Sequence, residues 1–209
     1  MKKGFFITLE GPDGAGKTTQ LTRLADAARQ MGIQVVCTRE PGGTPVGDAV
    51  RRILLDTAYS EMVPLTEVFL YAAARAQLFH QVIGPALKQG QLVLCDRFID
   101  STLAYQSYGG EMDFSFVLET NLQAVSHRLP DLTFVLDIDP SVGVERRGSG
   151  TADRVEQKAL SFHHRVRDGF LSLADKFPER IKVVKGTQSE DEVFAVIWNQ
   201  VAPLLEKLR

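Results

Sequence analysis

The chain is poor in several features that would narrow its role at once. Its 209 residues include two cysteines, Cys37 and Cys95, too few to frame a disulfide-built domain. Each lies in an apolar run of strand character. Both are therefore expected to be buried free thiols, in a reduced, cytoplasmic setting. Charge of one sign is lacking too. The 24 basic and 26 acidic side chains leave a net charge of −2, so no global basic field argues for a nucleic-acid partner. No apolar run approaches the roughly 20 residues that span a bilayer, so no membrane partner is expected. The opening stretch MKKGFFITLE starts like a leader. Its apolar part is short, however, and meets Glu10 with no small-residue cleavage site, so none is expected. Repeats, low-complexity tracts and linkers that would divide domains are also missing. A single domain over residues 1–209 is the expectation, and that length can enclose a substantial core.

Short apolar runs alternate with longer helical patterns. Strands are expected at FFITLE (5–10), IQVVCT (33–38), QLVLCD (91–96), LTFVLDI (132–138) and IKVVK (181–185). Most are unbroken apolar runs, as in strands covered on both faces. Helices are expected at about 17–31, 46–56, 65–89, 99–107, 113–128, 140–147, 154–177 and 189–208, with Gly32 and Gly90 closing two of them. The alternation implies an α/β fold: a five-stranded parallel sheet with helices on both faces and right-handed crossovers. Ligands of such sheets bind beyond the carboxyl ends of the strands. The small polar stretch RRGSGTAD (146–153) reads as a surface loop or a mobile lid at about 146–154.

Between the first strand and the first helix stands EGPDGAGKTT (10–19). Gly11, Gly16, Lys17 and Thr18 satisfy G-x-x-x-x-G-K-[ST] in the strand–helix context the motif requires. Backbone N–H groups of Gly11, Pro12's successor Asp13, Gly14, Ala15, Gly16, Lys17, Thr18 and Thr19 can turn around an anion at the positive end of a helix. Lys17 can reach outer phosphates, and the Thr18 hydroxyl can ligate Mg²⁺. A nucleoside triphosphate, ATP, is the expected ligand. The N-K-x-D motif of guanine-specific switches is missing.

A small-molecule kinase needs a second anion site facing this cradle. Arg75 in LYAAARAQ, Arg97 after the third strand and Arg51 in AVRRIL are candidates, each of which could instead be a solvated or structural arginine. Asp96, at the end of an apolar strand, suits Mg²⁺ or a helix N-cap. Asp137 reads as structural. Tyr71 and Arg75 are i, i+4 neighbours, so a ring and a guanidinium can address one nucleotide together. Thr102, Tyr105 and Gln106 share another helix face, and an amide matches a pyrimidine's N3–H and carbonyl.

Six stretches in order resemble the thymidylate kinases, over about residues 5–200. They are EGPDGAGKTT (10–19), TREPGGTPVGDAVR (38–51), EVFLYAAARAQ (67–77), CDRFIDSTLAYQ (95–106), RLPDLTFVLDID (128–139) and DRVEQ (153–157). The resemblance implies a P-loop nucleoside monophosphate kinase fold, transfer of the γ-phosphoryl of ATP to dTMP with Mg²⁺, and a homodimer. It implies that Arg75 and Arg97 bind the dTMP phosphate and that Tyr71 stacks on thymine. Thr102 and Gln106 would meet the base edge, and Tyr105 would crowd the sugar 2′ position. Glu40, Pro41 and Arg51 would line the base pocket. Asp13 would approach the 3′-hydroxyl, and Glu10 the metal or attacking phosphate. One branch of the family carries a cradle arginine where this chain has Gly14. The charge on the transferring group would then come from lid arginines, Arg147 or Arg154, with Arg146 stacking on adenine. A second departure is SYGGE after the YQ pair, where relatives often carry an arginine. Two alternatives stand beside this reading: a kinase for another nucleoside monophosphate, and a P-loop ATPase that works with a macromolecular partner.

Overall fold

A computed structural model describes residues 4–148 and 152–208. The strands β1 (Phe5–Glu10), β2 (Val35–Arg39), β3 (Leu92–Asp96), β4 (Leu132–Asp137) and β5 (Ile181–Lys185) form one sheet in the order β2-β3-β1-β4-β5. Every pairing is parallel. The helices are α1 (Lys17–Gln30), α2 (Pro45–Leu55), α3 (Pro64–Leu78), α4 (Gly84–Lys88), α5 (Ile99–Thr102), α6 (Phe114–Ala124), α7 (Pro140–Arg147), α8 (Leu160–Lys176) and α9 (Glu190–Leu205).

Strand periodicity divides the apolar side chains between two cores. Ile7 and Leu9 of β1 join Leu24, Ile197 and Val201 of α1 and α9. Phe6, one residue earlier, faces Phe98, Leu103, Val166 and Phe170 on the other side. On that second face Thr8 and Thr133 pair by their hydroxyls at 2.8 Å. Beneath them Asp100 is held by Arg180 at 2.6 and 2.7 Å.

Coverage on both faces holds for the inner strands but not for the edges. β2 is largely half-exposed, so Cys37 is an exposed free thiol rather than a buried one, while Cys95 on β3 is buried and free. Edge strands have one neighbour and less cover, which run composition alone does not reveal.

The helical stretch expected at 65–89 is continuous but changes pitch. A π-turn at Phe79–Ile83 separates α3 from α4, just before Pro85, whose missing N–H disturbs the α-ladder. A second π-turn, Leu103–Gly109, extends α5. The helix expected from 154 begins only at Leu160. Asp153 instead accepts bonds from the N–H groups of Val155 and Glu156, both at 2.9 Å, closing a separate turn. The helix expected to 128 ends at Ala124, and Ser126 and His127 take left-handed conformations. Of the expected lid, residues 149–151 and the side chain of Arg147 lie outside the described residues.

The strand order places the carboxyl ends of β1, β2 and β3 side by side. Gly11, Glu40 and Arg97 follow these three ends directly, so the loops of one edge converge where doubly wound sheets bind ligands.

Candidate active site

The cradle is made of backbone. Gly16 caps α1 with φ 90°, a conformation nearly closed to other residues. At Gly14 the constraint is space. A Cβ there would stand 2.6 Å from the Gly143 carbonyl oxygen, and one on Gly143 would stand 2.3 Å from the Asp13 carbonyl oxygen. Loop and helix α7 therefore meet backbone to backbone, and no side chain fits at position 14. This contact carries Arg146 to the cradle, where its guanidinium donates to the carbonyls of Gly14 at 3.4 Å and Gly186 at 3.1 Å.

The Lys17 ammonium is drawn back into its own loop. It donates to the carbonyls of Pro12 at 2.8 Å and Gly11 at 3.1 Å and lies 3.9 Å from Asp13. Burial, followed by the nearby Arg97 charge, lowers its pKa to about 8. Ala15 of the loop is buried, while Gly14, Gly16, Thr18 and Thr19 line an open cleft with Asp96, Arg97 and Arg146. The Thr18 hydroxyl donates to Asp96 at 2.7 Å.

A second cavity, with about 560 Å³ of free space, opens beside the cleft. Pro41, Tyr71, Arg75, Thr102, Tyr105 and Gln106 line it. Asp13, Glu40, Arg51 and Arg97 line both cavities. Arg97 stands at the junction in the left-handed region at φ 67°. Such strain costs about 1–3 kcal/mol and persists only where surroundings enforce it. Its N–H is held by Leu9 and its guanidinium by Asp13 at 2.7 Å and Ser101 at 3.0 Å, with the Tyr105 ring 5.2 Å away. Burial works against its charge, but Asp13, Tyr105 and Asp96 outweigh it and hold its pKa well above the usual arginine value. Arg51 donates to the Pro41 carbonyl at 3.0 Å.

The structure places three residues differently from expectation. Glu10 does not reach the cradle. Period-two geometry turns it to the Phe6 and Thr8 face, where its oxygens accept from the Phe98 N–H at 2.8 Å and the Ser101 hydroxyl at 2.5 Å. It is fully buried. Burial, then Asp100, raise its pKa to about 7, against Ser101, Arg97 and the Phe98 amide. Arg75, expected on the phosphate, is only 1% exposed and forms the cavity floor. It donates to Glu40 at 2.7 Å, to the Phe98 carbonyl at 3.1 Å, to the Thr102 hydroxyl at 3.0 Å and to Asn121. Four of its five N–H groups are committed to this network, so Arg97 is the guanidinium nearer the cradle. Arg154, expected at the transferring phosphoryl, is buried away from the cradle. It bonds the Leu54 carbonyl at 2.8 Å and Glu67 at 2.9 Å, because the buried Glu67 carboxylate needs a cation. Asp137 is structural, bound bidentately by Arg167 at 2.7 and 2.9 Å.

Sequence reasoning missed Glu67, Asn121 and Ser101. Glu67 was findable: with Tyr71 and Arg75 it repeats every four residues along α3. Asn121 is a fully buried polar residue on α6, visible only once its apolar neighbours are known. Two acceptors among the second cavity's lining residues are left over. Glu40 Oε1 and Gln106 Oε1 are buried with no hydrogen-bond partner among the described residues. Both belong to residues that line the second cavity, and a buried acceptor without a donor is costly.

The thymidylate kinase family model matches residues 9–197. A thymidylate kinase of Deinococcus radiodurans is 49% identical over 203 residues, covering 97% of this chain and 98% of that one. One of Pelotomaculum thermopropionicum is 50% identical over 206 residues, with 98% and 95% covered. The crystal structure of thymidylate kinase from Ehrlichia chaffeensis matches with a TM-score of 0.77 at 36% identity, covering 95% of this chain and 99% of that one. The relatives match almost end to end, and this chain belongs to the thymidylate kinase family.

Proposed function

We propose that this chain transfers the γ-phosphoryl group of ATP to the 5′-phosphate of dTMP, giving ADP and dTDP. The observation that carries this reading is the meeting of the two cavities at Asp13 and Arg97. Residues 11–19 would hold the ATP phosphates. The second cavity would hold dTMP, with Tyr71 against the base, Thr102 and Gln106 at its edge and Tyr105 beside the sugar. A dTMP phosphate oxygen then attacks the γ-phosphorus while its bond to the β-bridging oxygen breaks and the electron pair leaves with ADP. Such transfers depend on positioning and positive charge, which Lys17, Arg97 and Arg146 supply. Asp13 orients Arg97, and the segment 146–154 would close over the cleft as a lid. Thr18 and Asp96 present hard oxygen donors at the cradle. That suits Mg²⁺, which is bound by few protein oxygens together with phosphates; it would neutralise charge on the migrating group.

Leu65, Phe69 and Phe116 are exposed, Phe69 by 51%, with the two rings in edge contact at 6.1 Å. Such an apolar face supports a homodimer in which a second copy covers α3 and α6. No helix among the described residues is long and apolar enough to cross a membrane. An exposed Cys37 thiol suits a reducing, cytoplasmic setting.

The test is a coupled assay of ADP release on a panel of monophosphates with saturating ATP and Mg²⁺. The expected order of kcat/KM is dTMP, then dUMP, then dCMP and UMP, because one methyl is worth about 1–3 kcal/mol and an unmatched polar edge costs about as much. ADP release without any monophosphate, or a preference for dCMP, UMP or a purine, overturns the assignment.

A further inference from the structure

We infer that Glu67 is a positioning residue that sets which way the Gln106 amide faces, and thereby which base edge the enzyme accepts. The inference rests on the dTMP reading of the second cavity. Gln106 and Tyr105 stand between that cavity and another behind it, into which Glu67 and Arg154 face. Both Gln106 and Glu67 are 3% exposed, so water does not bond freely to either. The Gln106 amide nitrogen donates to Glu67 Oε1 at 2.7 Å. Glu67 Oε2 accepts from Arg154 at 2.9 Å, and the Lys158 ammonium lies 3.4 Å from both oxygens. Arg154 is itself fastened to the end of α2, by its side chain to Leu54 and its backbone N–H to Leu55.

The consequence follows from donor and acceptor counts. A carboxylate paired with two cations only accepts hydrogen bonds. The amide must therefore turn its NH₂ group to Glu67. Its carbonyl oxygen is left with no partner among the described residues, on a residue that lines the nucleotide cavity. A base with an N–H at ring position 3, thymine or uracil, supplies the missing donor. Cytosine sets a lone pair against a lone pair there. Selection for the imide edge is thus held from behind the pocket, by a residue that does not line it. Arg154 takes part as the cation that keeps Glu67 in place.

The measurement is kcat/KM for dTMP and for 5-methyl-dCMP, which keeps the methyl group and changes only the polar edge. It is made on wild type, Glu67→Gln, Gln106→Leu and the double variant. A glutamine at 67 can donate as well as accept, so the facing amide is free to turn over. The dTMP to 5-methyl-dCMP ratio should fall about tenfold or more in Glu67→Gln, through a higher KM for dTMP and a gain for 5-methyl-dCMP. In the Gln106→Leu background the same change should leave the ratio within about twofold. A merely structural role lowers both substrates in parallel and leaves the ratio unmoved, which overturns the inference while a wild-type preference for dTMP keeps the function standing. Wild type that ignores dTMP sinks both. Should Glu67→Gln not fold, a crystal structure of wild type with dTMP decides. The amide nitrogen still on Glu67 and Oε1 on base N3 support the assignment; an amide swung off Glu67 to donate to the base refutes it.

Discussion

The phosphate cradle and the acceptor pocket lie side by side and are built by opposite means. The cradle is one unbroken stretch, residues 11–19, and its chemistry is mostly backbone: carbonyls that hold Lys17, N–H groups at the start of α1, and glycines that let the loop press on its neighbours. The pocket is drawn from the loops after β2 and β3, from α2, α3 and α5 with its π-turn, and from the turn at Asp153, and its chemistry is side chain. It spends buried charge to hold shape. Glu40, Glu67, Arg75 and Arg154 are all buried, and each finds an ionic partner. A backbone site is robust in place and generic in what it binds. A side-chain network is costly to bury, yet it can specify one edge of one base.

That contrast makes distinct substitutions act on distinct kinetic terms. The largest effect is expected from Lys17→Ala in the cradle. Loss of a charge complementary to the transition state should lower kcat by roughly 10²–10³-fold, with KM for dTMP changed by less than about threefold. Steady-state kinetics on the folded variant check this. A large rise in KM for dTMP with kcat intact would erase the division between the two regions.

Glu10 lies where the regions join, with β1 leading to the cradle and its carboxylate holding the pocket's Phe98 and Ser101. Its pKa rises from 4.5 to about 7 in the fold. Between those values the folded state binds more protons than the unfolded state, so this group's contribution to stability falls as pH rises through the window. Glu10→Gln removes the titration. The difference in unfolding free energy should therefore shift toward the variant between pH 4 and pH 8, by up to about 3 kcal/mol at 1.36 kcal/mol per pKa unit. Urea unfolding at several pH values measures it. A constant difference across the range would mean that Glu10 titrates normally.

The smallest expected effect belongs to Tyr71→Ala on the pocket side. A ring stacked on a base contributes about 1–3 kcal/mol, so KM for dTMP should rise about tenfold while KM for ATP and kcat change little. A fall in kcat matching the loss of Lys17 would show that the two regions do not act separately.

The cradle was legible because everything it needs is adjacent in the chain. Spacing of Gly11, Gly16, Lys17 and Thr18 after an apolar run suffices when the binding groups are backbone. The inner strands were legible for a related reason, since β1, β3 and β4 are covered on both faces and read as continuous apolar runs. The pocket was legible only in parts. Tyr71 with Arg75, and Thr102 with Tyr105 and Gln106, share helix faces, and local spacing detects such pairs. The resemblance implied a metal or phosphate role for Glu10, and a strand-end carboxylate looks the same in sequence whichever face it takes. Arg154 was misplaced because its partner, Glu67, lies 87 positions away.

Local interactions set the alternation that makes a parallel sheet, the phosphate loop and the pairs of polar residues one helical turn apart, and all of these can be read along the chain. Tertiary structure decided which buried ions meet. The strand order β2-β3-β1-β4-β5 brings Glu40 to Arg75 and Arg97 to Asp13, and the turn at Asp153 brings Arg154 to Glu67. It also decided that Cys37 is exposed, because β2 lies at an edge. Periodicity reports only which residues a chain would bury. Which charges then share that interior depends on contacts between distant segments, since a buried charge is stable only beside its partner.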